Sequence, residues 1–459
     1  MRRFLLLLLA ALMASVFSSC YYFDAGMENL LVPPKLTDGQ NEIYKVLENR
    51  AGTGISLKYP RTGDYRSAFV IENIDDEPGK EAMVFYQNNV NVSNTAALTV
   101  SVLDKEDGEW VPVYDIAAAG SDVDQVAFSS FGTQNNMFII IGYALTSETD
   151  KVLHIYRYRD GIMQDLFNCP YSLFEVVDID DNGYPELVTL SPAVTDKGGQ
   201  ITAAKANVIR YQNGGFVTSD SVDMDSSITA YVNIQTGYIG SRQTALYLDG
   251  MKGQNKITTQ ILFYQDGKFQ NNAFLDRTAA DQLTRQAGNL SMDIDGDGVI
   301  EIPVPELMPG YQIAATQAEA LKEETDPLYF TRWQVYSNGE FVEKYFSYLN
   351  IGLGYTLTIP QNMQNGTITA KRETAAEQNG DEIIFYLFEE SLEQSTQELF
   401  RICVINQADI DESLDGYERI ETSGQLAYFV RTTPLARELY QLDTDMIRIN
   451  FTLLNDEDQ

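Results

Sequence analysis

The chain has a single histidine, His154, in 459 residues, and only three cysteines. One histidine excludes a multi-histidine zinc site, and no His-based triad or haem ligand set can be assembled around it. His154 lies in the alternating run His154-Ile155-Tyr156-Arg157-Tyr158 and reads as structural. After Cys20, only Cys169 and Cys403 remain, far apart, so no disulfide framework is implied and both read as buried thiols. Basic residues are scarce as well. Lys and Arg number 32 against 66 Asp and Glu, a formal charge of −34. A surface of that sign repels nucleic acid and anionic lipid headgroups. No glycine-rich phosphate loop of the usual spacing is present. The apolar run Phe4 to Phe17, 14 residues, is too short to span a bilayer comfortably.

That run is framed as a leader. Met1-Arg2-Arg3 is a short basic start, and Ser18-Ser19-Cys20 supplies small residues before a cysteine. The pattern resembles a bacterial lipoprotein signal, 1–19, cut before Cys20 with lipid added to its thiol. The resemblance implies export and anchoring to the outer face of the bacterial cell membrane, through the lipid alone. Loss of Arg2 and Arg3 takes the charge from −34 to −36. Residues 20–53 read as a tether with Pro33-Pro34, followed by a helix from Asp38 to about Arg50. Thr37 and Gln40 form its capping box, and Ile43, Val46 and Leu47 its apolar stripe.

The acids gather in recurring short stretches. Residues 291–305 read SMDIDGDGVIEIPVP, with Asp293, Asp295, Asp297 and Glu301 at positions 1, 3, 5 and 9. Residues 174–191, FEVVDIDDNGYPELVTLS, place Asp178, Asp180, Asn182 and Glu186 in that register. Residues 69–86, FVIENIDDEPGKEAMVFY, place Asn73, Asp75, Glu77 and Glu81 there. Alternating carboxylates around a glycine suit a hard cation that takes six to eight oxygens, so calcium is the expected ion. The loop is too short for an EF-hand, whose Glu stands at position 12. Asp and Asn also favour turns on their own, so a degenerate loop such as 73–81 can be a plain turn without metal. Residues 126–143 and 231–249 keep the apolar frame with fewer acids. The set resembles the FG-GAP or VCBS repeats of integrin-type β-propellers over roughly 54–350, without most of the Phe-Gly and Gly-Ala-Pro signatures.

A second rhythm runs through the same region. Asp107-Gly108, Asp160-Gly161, Asn213-Gly214 and Asp266-Gly267 fall 53 residues apart, and Asn338-Gly339 follows 72 later. Each lies between strand-like runs and predicts a type I′ hairpin turn. Two hairpins per unit make a four-stranded propeller blade. The expected fold is mainly β, a β-propeller of about five blades (67–116, 124–168, 173–222, 227–275, 286–348), then a small α+β domain at 351–459. Six or seven blades result if 350–432 continues the series. Gly54 to Tyr59 is an extra strand placed to help close the ring. From Pro434, Leu435, Leu439, Leu442, Met446, Ile449 and Leu453 step as one helix face.

In such a blade the acidic loops and the Asp/Asn-Gly turns share one face. The opposite face carries the irregular loops, including a long insertion at 303–327 with a predicted helix near 314–324. In the resembling propellers, too, the ligand face lies opposite the calcium loops. The expected function is a monomeric binding or scaffold module for a protein or glycan ligand, with Tyr311 and Tyr329 as contacts and no catalytic residue assigned. The alternative is an extracytoplasmic carbohydrate-active enzyme using carboxylates.

Overall fold

A computed structural model describes residues 36–454 apart from 53, 76, 89–97, 134–136, 147–149, 192–193, 196–200, 203, 241, 313–326, 365, 376–379, 411–413 and 415. Cys20 and the helix predicted near 314–324 lie outside the described residues.

The fold is mainly β and built of propeller-type blades, each an antiparallel sheet whose strands follow one another in chain order. The first comprises 69–72, 81–88, 98–106 and 109–117; the second 122–129, 138–144, 151–159 and 162–171. The third comprises 173–177, 186–191, 205–212 and 215–223; the fourth 228–239, 243–252, 256–265 and 268–271. The five Asp/Asn-Gly pairs form the turns between third and fourth strands, or their equivalents in the fifth sheet. Both residues of every pair sit at positive φ, from Asp107 at 49° and Gly108 at 90° to Asn338 at 53° and Gly339 at 85°. Hairpins that match strand twist need that backbone, and Asp, Asn and Gly reach it at least cost.

Second strands are apolar on both faces. Phe138–Ala144 is buried at every residue, and so is the run from Thr244 to Gly250 in the fourth sheet. Such burial needs cover on two sides. The third and fourth sheets supply it to each other through Leu190, Val208, Leu246 and Leu262. Outer strands instead alternate with exposed residues, as in Gly215–Asp223.

The chain divides into two compact units. The first holds residues up to 128 with 135–146 and 155–165; the second holds 129–134, 147–154 and 166 onward. In the first, helix α1 (Asp38–Ala51) carries the expected capping box, and Ile43 and Leu47 pack against the first sheet. The strand expected to close the ring, 55–57, pairs instead with 86–88. It stands in line with 69–72 along one edge of the same strand, completing the first sheet.

In the second unit, the fifth sheet reads 302–307, 329–337 and 340–350, with its first strand reduced to the Met292–Glu301 bridge. Residues 355–358 and 451–453, expected within a separate domain at 351–459, extend this sheet at its outer edge. The remainder forms a five-stranded sheet, 368–375, 380–387, 398–406, 426–432 and 418–423, with two helices. The single helix expected from Pro434 is two, α2 (Pro434–Tyr440) and α3 (Thr444–Asn450). Gln441 turns left-handed at φ 56° and ends α2; Asp443 then caps α3. The break rotates the predicted face: Leu442 is buried, but Leu439, Met446 and Ile449 are exposed.

Candidate functional site

Three acidic loops join first and second strands, and each is closed the same way. The Glu at position 9 is buried at the start of the second strand, and one of its oxygens accepts the backbone N–H of position 2. Ile74 donates to Glu81 at 2.8 Å, Ile179 to Glu186 at 3.2 Å and Ile294 to Glu301 at 3.0 Å. Burial raises all three carboxyls above their ordinary value, Glu301 to about 7. Position 1 organises the turn. Asp178 accepts the N–H groups of Asn182 and Gly183, and Asp293 those of Gly296, Asp297 and Gly298. Asn73 departs from this, donating through its amide to the Glu77 carbonyl at 3.0 Å, while Asp75 accepts the N–H of Glu77 at 2.8 Å.

The carboxylates converge in two of the loops. Oxygens of Asp178, Asp180 and Glu186 lie within 4.8 Å of one another, as do those of Asp293, Asp295 and Asp297. Both sets also meet a side-chain cation that sequence reasoning missed. Arg210 donates to Asp180 at 2.7 Å and Glu186 at 3.0 Å, and is braced by Ser219 and the Tyr264 hydroxyl. Lys344 Nζ lies 2.8 Å from Asp295, 2.6 Å from Asp297 and 2.7 Å from Glu301. Burial works against the Lys344 charge, but these three hydrogen bonds outweigh it and raise its pKa. The Tyr345 hydroxyl adds a bond to Asp295.

Both loops gather oxygens of the kind calcium takes, and both hold a side-chain cation among them. In 178–186, Asp180 Oδ1 is buried without a hydrogen bond, and the converging oxygens fit a hard cation. In 293–301 the oxygens of Asp293, Asp295 and Asp297 converge likewise, and Lys344 is bonded to Asp295, Asp297 and Glu301.

At the other strand ends of the third and fourth sheets is a cleft of about 230 Å³. Asp223 and Asp225 reach it from the connection between the two sheets. Lys252 comes from the end of one strand and Gln260 from the middle of the next; Phe274, Arg277 and Asp281 follow the fourth sheet. Lys252 pairs with Asp281 at 3.0 Å, and Asp223 with Lys205 at 3.3 Å. Asp225 accepts the N–H of Ser227. Phe274 is 57% exposed, an aromatic ring presented to solvent beside these polar groups.

A buried polar network lies under the cleft. Thr259 donates to the fully buried Asp249, which is bonded to the fully buried Arg285 at 2.8 Å. Ser291 and Asn233 also donate to Asp249, whose pKa is lowered; burial opposes this, but Arg285 and the hydrogen bonds prevail. Neither predicted aromatic contact reaches this cleft. Tyr311 packs on the apolar core and donates to the Ala370 carbonyl at 2.9 Å. Tyr329 lines a different cavity with Asn289, Tyr348 and Arg372.

No family model and no curated protein matches the sequence. Among solved structures, the exotype rhamnogalacturonan lyase YesX aligns at 11% identity over 72% of this chain and 72% of that one, TM-score 0.29. The β-propeller domain of the Trilobed protease from Pyrococcus furiosus aligns at 8% identity over 76% of this chain and 95% of that one, TM-score 0.29. An exo-β-1,3-galactanase from Phanerochaete chrysosporium aligns at 8% identity over 80% and 82%, TM-score 0.24. At these values the likeness says nothing of substrate or activity.

Proposed function

We propose that this chain is an exported, lipid-anchored propeller that binds a neutral glycan in the cleft formed by Asp225, Lys252, Gln260, Phe274 and Arg277. One observation carries the reading: an exposed aromatic ring stands beside carboxylate, amide, ammonium and guanidinium groups on the face away from the acidic loops. An aromatic face takes the C–H side of a sugar ring, and the planar polar groups take its hydroxyls. Three carboxylates in the same cleft keep an enzyme as second reading. Two of them are held by lysines and the third caps a turn, which favours binding over proton transfer.

The test is a glycan screen with the full chain, followed by calorimetry on the best ligand. Phe274→Ala is expected to weaken binding about tenfold or more, the loss typical of a central anchor, with the melting midpoint unchanged. Binding that survives this change and Arg277→Ala contradicts the assignment. Turnover of the glycan that is lost in Asp225→Asn establishes the enzyme instead.

Lipidation at Cys20 and calcium in the 178–186 loop belong to the same proposal. Cys20→Ala is expected to release the protein from membranes or leave an uncleaved precursor; unchanged fractionation and processing contradict the anchor. Asp178, Asp180 and Glu186 would hold the calcium, its role being to stabilise the turn. An ion that binds only the folded state stabilises it by about 2.7 kcal/mol at a hundredfold excess over Kd. Chelation is expected to lower the midpoint of the wild type and to leave Asp180→Asn unmoved. Equal midpoints of the wild type with and without chelator contradict the site.

A further inference from the structure

We infer that the 293–301 loop is closed by the ammonium of Lys344 and takes no calcium, although it is the loop whose sequence matches a calcium site best. The inference is independent of the glycan reading.

The position of Lys344 explains how it gets there. In the fifth sheet, Trp333 pairs with Tyr345 and Gln334 with Glu343, so Lys344 is the extra residue of a β-bulge. A bulge releases one residue from the ladder and re-aims its side chain. The first and third sheets carry the same bulge, with Val113 and Ser219 as the extra residues. All three stand six residues after the Asp or Asn of their turn, at Asp107, Asn213 and Asn338. In the third sheet the small Ser219 leaves room, and Arg210, three residues before Asn213, approaches the loop. In the fifth sheet the residue three before Asn338 is the apolar Val335, and the cation comes from the bulge. In the third and fifth sheets a cation thus meets the acidic loop from two different positions of the repeat, Arg210 and Lys344.

The oxygens are also spoken for. Asp293 gives both of its oxygens to backbone N–H groups, and Glu301 gives one to Ile294. The second Glu301 oxygen and one each of Asp295 and Asp297 contact Lys344. Calcium needs six to eight oxygens. To gather them it would have to expel the ammonium of a lysine whose side chain is only 22% exposed and set it beside a divalent charge. A tethered cation is present at every folding event, whatever the ion concentration.

Calcium stoichiometry by equilibrium dialysis, with tyrosine-excited terbium emission, tests this on the full chain. Asp295→Asn and Tyr345→Phe are expected to leave both readouts at wild-type values. Lys344→Met is expected to bind one more calcium than the wild type, with a midpoint that gains a new calcium dependence. An ion lost from the chain by Asp295→Asn overturns the inference, as does a folded Lys344→Met that gains none. If Lys344→Met fails to fold, the wild-type and Asp295→Asn comparison decides alone.

Discussion

Glu301 gives one oxygen to the Ile294 N–H and the other to Lys344. Its amide isostere keeps an acceptor for the first and loses the charge for the second. Glu301→Gln is therefore expected to stay folded with a modest loss. Glu301→Ala strands a backbone N–H and is expected to cost about 1–3 kcal/mol more in urea unfolding. Equal costs would remove the loop-closing role of position 9. Asp249 supplies the pH dependence. Its folded pKa lies below the ordinary 3.8, so its contribution is present above 3.8 and is lost as pH falls through the lower folded value. Asp249→Asn leaves Arg285 buried and unpaired, a loss of about 3–5 kcal/mol at neutral pH. The gap between variant and wild type is expected to close in acid; a constant gap would contradict the pairing. At this scale the acids were legible because they recur in register. Lys344 was not recognised, although its spacing of six from Asn338 repeats that of Ser219 from Asn213. The signal lay in the comparison of repeats, since a lysine alone in a strand says nothing.

Turns and strands were the most legible elements, because one dipeptide fixes a backbone that few residues adopt. Gly267 sits at φ +71° with open space around an added Cβ, so Gly267→Ala is expected to cost about 1–2 kcal/mol through backbone strain alone. Gly237 is the opposite case. Its added Cβ would lie 2.5 Å from Ile300 Cγ1, where Tyr238 N–H meets the Gly298 carbonyl at the acidic loop. Gly237→Ala is expected to cost about 1–3 kcal/mol by overpacking, and Ile300→Val to recover part of it. Denaturant midpoints of the three proteins check both mechanisms; no recovery in the double variant would exclude the clash. The helix after Pro434 was misread for a physical reason. Steps of four and three persist across a short break, and Gln441 in a left-handed cap carries no warning of the kind glycine gives.

For the molecule as a whole, periodicity revealed the blades but not the cleft at the other strand ends of the third and fourth sheets. Asp225, Lys252, Phe274 and Arg277 come from three separate segments and share no motif, so only folding brings them to one cleft. Tyr311 was singled out as an aromatic in a long loop, yet its ring is taken up by the core. No described helix is long and apolar enough to cross a bilayer, and in the proposed reading attachment rests on the lipid at Cys20. The claim that unites these points is that the acidic loops are structural and that the cleft of the third and fourth sheets receives the ligand. Hydrogen exchange of the full chain with and without its best glycan tests it most directly. Protection is expected at 223–226 and 272–282, with the loops at 73–81, 178–186 and 293–301 unchanged. Protection confined to those acidic loops, or no glycan bound at all, would contradict the account.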